Sequence, residues 1–469
     1  MKRNTSILIL ILGLGLGLRL WGVNQSLWLD EASQAQQSVL PIKQIWSGRV
    51  GDFHPPLFYL MAHAWLAINH SEVWARLLPI GIGLVGIFLM TPLAESLLFP
   101  KKIRIGRWSL STGTCASFIL AINPFHIYYS QEFRMYSLLG TLGIWAMLLF
   151  VRSSRWLWIP LTLMLYTHYA TFLLLPTMLI YSFLFDRKKI KLTIGHWMLS
   201  ILLYFPWLPQ FVRQLSAGVN IDQYLPGWRE LLTLGPVTAI PLVLFKLVAG
   251  RINFVSRIAY AVYAGFVLSL VGTAVILAKD RRALLLSWLF FPLLVAIALS
   301  FIIPLTQPFR LIFILPALIL IFVQAIQRFP RLTLLFVVYI SITAMVMYIS
   351  RPRLQREQWR QTISYLQTQA TSDSAIVVKF SDKFAPFYWY SENLLVVGGV
   401  PTYPASEIEV KPVLAASLAS VHTVYLVDYL SALTDPNRVV DRSLENLGFA
   451  RLDTTNFEGV GFIHRYAKL

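Results

Sequence analysis

The feature that most restricts this chain is a repeated one: apolar runs of about 20 residues, separated by short clusters of lysine and arginine. At 1.5 Å per helical residue, such a run matches the roughly 30 Å hydrocarbon core of a bilayer. The runs lie at 5–22, 74–99, 108–128, 135–151, 196–212, 258–278, 284–304, 309–327 and 331–349. Composition excludes the soluble alternative. Of 469 residues, 57% are hydrophobic and only 13% are charged, with a mean hydropathy of +0.63; soluble domains run near 25% charged. The expected fold class is an α-helical polytopic membrane protein.

The net charge of +18 does not point to nucleic acid, because the basic residues form no single patch. They are dealt out between the runs: Lys101, Lys102, Arg104 and Arg107; Arg152 and Arg155; Arg187 to Lys191; Lys279, Arg281 and Arg282; Arg328 and Arg331. Cytoplasmic loops record orientation in this way, and membrane lipids with anionic headgroups are natural partners for such clusters. Lys2 and Arg3 place the N-terminus in the cytoplasm. No small-x-small cleavage pattern occurs at Trp21-Gly22-Val23-Asn24, so the first run is expected to remain as a helix. It emerges into an outer loop spanning 23–73, in which the 12-residue stretch 57–68 is interfacial or re-entrant. The stretch 156–185 has basic flanks on both sides and is expected to cross twice, breaking near His168, with Pro160 and Pro176 perturbing its arms. The run 236–250 is short and reads as a partial insertion. About 11 crossings follow, or 12 to 13 if the short runs span, and an odd count puts the C-terminus outside. From 351 to 469 the composition turns mixed and polar. Strand-like runs at 375–379, 394–397, 424–428 and 461–464, and helix-like ones at 357–369 and 442–447, predict a small α/β domain beyond a 1–350 membrane domain.

Chemical variety collects at the outer ends of the runs. Asp30 and Glu31 are adjacent carboxylates just past the first helix, able to supply a general base and an orienting partner, or to stand as a solvated acidic loop. The same loop carries His54 in Gly51-Asp-Phe-His-Pro-Pro. The next outer joint, 123–136, packs Tyr129, Glu132, Arg134 and Tyr136 into one turn; ionisable groups at a membrane border are costly unless paired or wet, and the alternative is a surface ion pair in an aromatic belt. Arg310 opens a later joint, where a helix start disfavours a cation unless an anion such as phosphate accompanies it or the side chain snorkels. His168 falls at the turn of 156–185, where it is a site residue or a cap. Gly13, Gly15 and Gly17 lie within an apolar helix and serve close packing, and Cys115 is a lone small residue in an apolar run. No His/Cys spacing fits zinc and no phosphate-binding lysine loop is present, so no cofactor is expected.

These motifs, taken in order, resemble a family. Trp28-Leu-Asp30-Glu31-Ala, His54-Pro-Pro-Leu-Phe-Tyr59, Glu72-Val-Trp-Ala-Arg76-Leu-Leu-Pro79 and Tyr129-Ser-Gln-Glu132-Phe-Arg134-Met-Tyr136, then Tyr166-Thr-His168-Tyr169 and Phe309-Arg310-Leu-Ile-Phe-Ile-Leu-Pro316, are similar to signatures of GT-C glycosyltransferases. The resemblance is to the bacterial branch related to protein O-mannosyltransferases and the lipid A aminoarabinose transferase, and it covers about residues 1–350. It implies inverting sugar transfer from a polyprenyl-phosphate donor, at the outer face of a bacterial inner membrane, to a protein, glycolipid or polysaccharide. By position, Asp30 would be the general base and Glu31 would orient it or the sugar. Glu132 and Arg134 would hold sugar or phosphate, and Arg310 would stabilise the departing lipid phosphate. After Asp30-Glu31 the next acidic residue is Asp52, which departs from the fuller acidic first loop of some relatives and speaks against a metal-dependent mechanism. Two other classes compete. A transporter or flippase for a lipid-linked sugar predicts repeats and ionisable residues at the membrane midplane; an inactive scaffold would not need both Asp30 and Arg310.

Overall fold

Where prolines and polar residues fall within the apolar runs decides which become single helices. The computed structural model describes residues 2–48, 53–99, 102–105, 108–220, 227, 233–391 and 393–468; Gly51, Asp52, Lys101 and Arg107 lie outside them. Among the described residues, five helices are long and apolar enough to cross a membrane: Glu72–Leu97, Arg257–Leu277, Arg282–Leu299, Pro308–Arg328 and Pro330–Ser350. Shorter apolar helices cover Thr5–Leu20, Leu57–Leu66, Thr112–Ile122, Tyr136–Val151, Tyr169–Phe185 and Val237–Ala249. The chain condenses into two compact units. One comprises Met1–Val23, Leu40–Ser216 and Leu232–Ser350, and the other Asn24–Val39, Ala217–Leu231 and Arg351–Leu469.

In the first unit, two expected runs are not single helices. The run 108–128 begins as the strand β2 (Trp108–Leu110), paired antiparallel with β1 (Ile103–Ile105), then forms the helix Thr112–Ile122. It breaks at Asn123-Pro124 and restarts as the short helix Pro124–Ser130. Pro124 has no N–H to continue the first helix but suits the first position of a new one, and the Asn123 side chain caps that helix by accepting from the His126 N–H at 2.8 Å. The run 196–212 likewise breaks at Pro206, where the tight turn Phe205–Trp207 separates Ile190–Tyr204 from Leu208–Val219. The 156–185 stretch breaks at Tyr166-Thr167-His168, where its sequence predicts a break.

A helix apolar on every side belongs inside a bundle. Pro308–Arg328 is the most buried of the five long helices. Its first turn lies against Tyr136–Val151 because that helix presents glycines: a Cβ at Gly143 would stand 2.9 Å from Phe313 Cβ, and one at Gly140 3.5 Å from Ile312 Cγ1. Small residues permit such close approach between membrane helices. The buried Arg19 ties the first helix to the joint around residues 121–126. It donates to the carbonyls of Gly15 (2.8 Å) and Ala121 (3.0 Å) and to His126 Nδ1 (2.6 Å). Since arginine cannot accept, Nδ1 of His126 must.

The second unit is built on a five-stranded sheet of order β4-β3-β5-β7-β6. Strands β3 (Ser374–Val378), β4 (Val396–Gly398) and β5 (Thr423–Val427) are parallel; β6 (Phe449–Phe457) and β7 (Gly461–Lys468) add antiparallel. Both faces are covered, which is why β3 and β5 are continuous apolar runs. Val377, Val424 and Leu426 pack with Val410, Leu414 and Leu444 on one face. Ile376, Tyr425 and Val427 pack with Trp359, Ile363 and Phe387 on the other. Just beyond β3, the fully buried Lys379 Nζ meets Asp441 at 2.7 Å, Asp428 at 2.9 Å and Asp435 at 3.1 Å. Burial lowers the lysine's pKa, but the Asp441 and Asp428 carboxylates prevail and raise it overall.

Candidate functional site

Seven of the nine site residues singled out from the sequence belong to the first unit. His54 precedes the Leu57–Leu66 helix, whose first N–H, that of Leu57, donates to Tyr166 O at 2.9 Å. That bond brings two distant motifs together: the His54 and His168 rings meet edge to face, 5.2 Å between centroids. His168 is buried and caps the short turn Tyr169–Leu173, its Nδ1 accepting from Ala170 N–H at 3.0 Å. Tyr136 follows at 6.2 Å from His168, then Tyr129 at 5.5 Å from Tyr136. Phe309 closes the group, 4.9 Å from Tyr136 and 5.8 Å from Tyr129. Rings at such separations, tilted or edge to face, interact favourably beyond their simple burial.

Two cations flank these rings. The Arg134 guanidinium stands 6.0 Å from the centre of the Tyr136 ring, and that of Arg310 stands 5.8 Å from the centre of Phe309. Arg310 also donates to Pro304 O. Glu132 and Arg134 are both buried, in a tight turn where Arg134 N–H donates to Glu132 O at 2.6 Å. Burial, and then the Glu132 carboxylate, push the Tyr129 phenol well above its ordinary pKa, so it is a neutral hydrogen-bond donor at physiological pH. Phe309 is the member of this group that sequence reasoning left out. It lies within the Arg310 motif, but an apolar residue at the start of an apolar run gives no chemical signal. A wall of rings with phenol, imidazole and guanidinium donors at its edge can hold a polar ring by its faces and hydroxyls, and an anion beside it.

Asp30 and Glu31 belong to the second unit, in the first turn of the helix Leu29–Ser38. Glu31 is fully buried and its Oε2 accepts from Trp28 N–H at 3.4 Å, while Asp30 is partly exposed. A carboxylate at the first turn is favoured by the helix dipole. Among the described residues, no three His, Cys, Asp or Glu side chains are grouped to hold a metal ion.

No protein-family model matches the chain, and a search of curated proteins finds no match in sequence. Solved structures do match over its whole length. The oligosaccharyltransferase of Archaeoglobus fulgidus, tethered with an acceptor peptide containing the NVT sequon, aligns with 100% of this chain and 74% of its own at 12% identity, with a TM-score of 0.56. ArnT from Cupriavidus metallidurans in the apo state aligns with 99% of this chain and 98% of its own at 13% identity, with a TM-score of 0.53. The same ArnT bound to undecaprenyl phosphate gives 14% identity, the same coverage and a TM-score of 0.51. The chain therefore has the GT-C glycosyltransferase fold that its motifs resemble, and it is a multi-pass integral membrane protein.

Proposed function

We propose that this chain transfers a sugar from a polyprenyl-phosphate donor to a hydroxyl or phosphate of an acceptor, at the extracytoplasmic face of a bacterial inner membrane, with inversion. The observation that carries the reading is the whole-length likeness to ArnT, a protein whose structure holds undecaprenyl phosphate. The topology that goes with it has the N-terminus in the cytoplasm and the C-terminal unit outside.

With a hydroxyl acceptor the reaction is a single displacement. The Asp30 carboxylate takes the acceptor proton as the acceptor oxygen attacks the anomeric carbon. The bond from that carbon to the phosphate oxygen breaks on the opposite face, which inverts the centre, and polyprenyl phosphate leaves with the electron pair. Glu31 holds the first turn of the helix that carries Asp30. Tyr129, Tyr136, His54 and His168 bind the sugar, Glu132 and Arg134 hold sugar or phosphate, and Arg310 meets the negative charge that grows on the leaving phosphate. Charge-stabilising groups of that kind supply the largest single contribution to many enzymatic rates. A donor with an isoprenoid tail explains why the rings and cations stand at helix ends: the tail stays in the bilayer and only the headgroup reaches the site.

The test is turnover in proteoliposomes of a panel of polyprenyl phosphates carrying labelled sugars, with envelope extract as the acceptor source. Label is expected to leave one donor while free polyprenyl phosphate appears in equal amount. A donor that binds and crosses the bilayer with no bond broken would replace this reading with that of a lipid-sugar transporter.

A further inference from the structure

The helix Leu29–Ser38 has only a partial cap of its own, the Glu31 carboxylate on the Trp28 N–H. A helix start leaves its first N–H groups without intrahelical partners, and Ser, Thr, Asp or Asn at the N-cap usually supplies one acceptor. Here the N-cap is Trp28, which makes no side-chain capping bond. The acceptor for the first helical N–H, that of Leu29, comes from Glu357, 328 positions along the chain: its Oε2 receives it at 3.0 Å. The same carboxylate is fixed on its other sides, by Trp359 Nε1–H on Oε2 at 2.7 Å and by the Tyr429 hydroxyl on Oε1 at 3.0 Å.

The attachment extends along the strand of chain leading into the helix. Leu27 N–H donates to the Tyr390 hydroxyl at 2.7 Å, Ser26 Oγ donates to Glu357 O, and Gln25 Oε1 accepts from Arg356 N–H at 3.0 Å. Arg360 donates to Asn24 O at 2.9 Å. Glu357 is itself held from behind by the β6–β7 turn. Gly459, at φ +80, comes so close that a Cβ there would stand 2.9 Å from Glu357 Cα. Gln358 N–H donates to Glu458 O and Glu458 N–H to Gln358 Oε1, each at 3.1 Å. Every one of these contacts lies within the second unit.

We propose that Glu357 is a positioning residue for sugar transfer: its carboxylate caps the helix that carries Asp30 and Glu31 and so fixes the base, which makes the C-terminal unit a working part of the transferase. This rests on the reading of Asp30 as the general base. The electrostatics agree with the geometry. Burial pushes the Glu357 carboxyl upward, its three donors pull it down, and Asp30 pushes it up again. The Tyr429 phenol is raised by burial, then by Glu357 and by Asp30. Asp30 thus stands within electrostatic reach of both. A base displaced by about 1 Å loses roughly 100-fold in rate, so a cap that holds its helix acts on the turnover number more than on donor affinity.

The experiment uses the full-length protein in nanodiscs, with Glu357→Ala, Glu357→Gln and Tyr429→Phe, and reads two quantities. One is hydrogen exchange over 29–38; the other is kcat and donor KM with a polyprenyl-phosphate sugar. In Glu357→Ala, exchange over 29–38 is expected to quicken by about tenfold or more, and kcat to fall by about 10- to 100-fold at unchanged donor KM. Glu357→Gln keeps an acceptor for the two N–H donors, and the Tyr429 hydroxyl can turn to accept from its amide, so protection and most of kcat are expected to return. Tyr429→Phe removes one donor and is expected to lower kcat a few-fold, which keeps the test open should Glu357→Ala not fold. Unchanged exchange over 29–38 in a folded Glu357→Ala, or quickened exchange with wild-type kcat, would overturn the proposal. A wild type that turns over no donor would instead overturn the transferase reading, and the positioning role with it, while exchange would still report whether Glu357 holds the helix.

Discussion

Arg310 bears the heaviest assigned load of any single side chain in the first unit. Its guanidinium lies beside Phe309 at the first turn of the most buried long helix, where a helix start repels a cation and an anionic ligand offsets that cost. Arg310→Ala is expected to lower kcat by about 10²- to 10³-fold, the scale seen when a charge-stabilising donor is removed. Arg310→Lys should recover little, because an ammonium cannot reproduce the planar two-pronged grip on phosphate. Turnover of the labelled donor measures both, and wild-type kcat in Arg310→Ala would remove Arg310 from the reaction. The charged and aromatic members of the ring cluster were legible in the sequence because ionisable residues at a membrane border carry a cost that invites explanation. Phe309 and Glu357 were not. Phenylalanine is ordinary in an apolar run, and Glu357 acts through a helix 328 positions away, a distance that no local pattern encodes.

Gly143 and Lys379 each decide how one element meets another. Gly143→Val would drive a side chain into Phe313, whose Cβ already stands 2.9 Å from where a glycine's missing Cβ would be. Overpacking of this kind costs about 1–3 kcal/mol, and here it would also displace the turn that carries Arg310. A thermal melt in detergent should fall by several degrees and kcat should fall with it; an unchanged melt would show that the two helices can separate freely. Lys379 sets its ammonium among three carboxylates. Lys379→Met leaves those charges buried without it and is expected to destabilise the C-terminal unit by about 3–5 kcal/mol, read by exchange over 374–378 and 423–427. The same cluster sets a pH dependence. Burial raises the Asp428 carboxyl, but the His464 imidazole 3.9 Å away, the Ser431 hydroxyl and the Lys379 ammonium outweigh it and hold the group well below its ordinary value. A depressed carboxylate stabilises fully above its unfolded pKa, near 3.9, and that contribution is lost as pH falls. The raised Lys379 works in the opposite sense: its contribution is complete below about 10.4 and is lost as pH rises through its folded value. The cluster's contribution, read as the difference in melting temperature between wild type and Lys379→Met, should therefore be nearly constant between about pH 5 and pH 10 and smaller below about pH 4. A difference that shrinks between about pH 5 and 7 would contradict this account of the cluster.

At the scale of the whole chain, membrane class and a trailing α/β domain were readable from composition, because lipid and water impose opposite demands on every residue. Element boundaries were less so. Pro124 and Pro206 divide runs that hydropathy alone joins. In the C-terminal unit, β6 escaped notice because its sequence Phe-Ala-Arg-Leu-Asp-Thr-Thr-Asn-Phe is mostly exposed at a sheet edge, and the helix Glu407–Ser417 because Pro412 lies inside it. Nor could hydropathy show that the segment bearing Asp30 and Glu31 condenses with residues 351–469. The proposed transfer turns on one group above the others, the Asp30 carboxylate assigned to take the acceptor proton. The measurement that reaches it most directly is kcat of Asp30→Asn against wild type with a labelled polyprenyl-phosphate sugar, alongside the affinity of each for unlabelled polyprenyl phosphate. The account predicts that kcat falls by about 10²-fold or more, as for a lost general base, with lipid-phosphate affinity within about threefold of wild type. Equal kcat in the two proteins would contradict it.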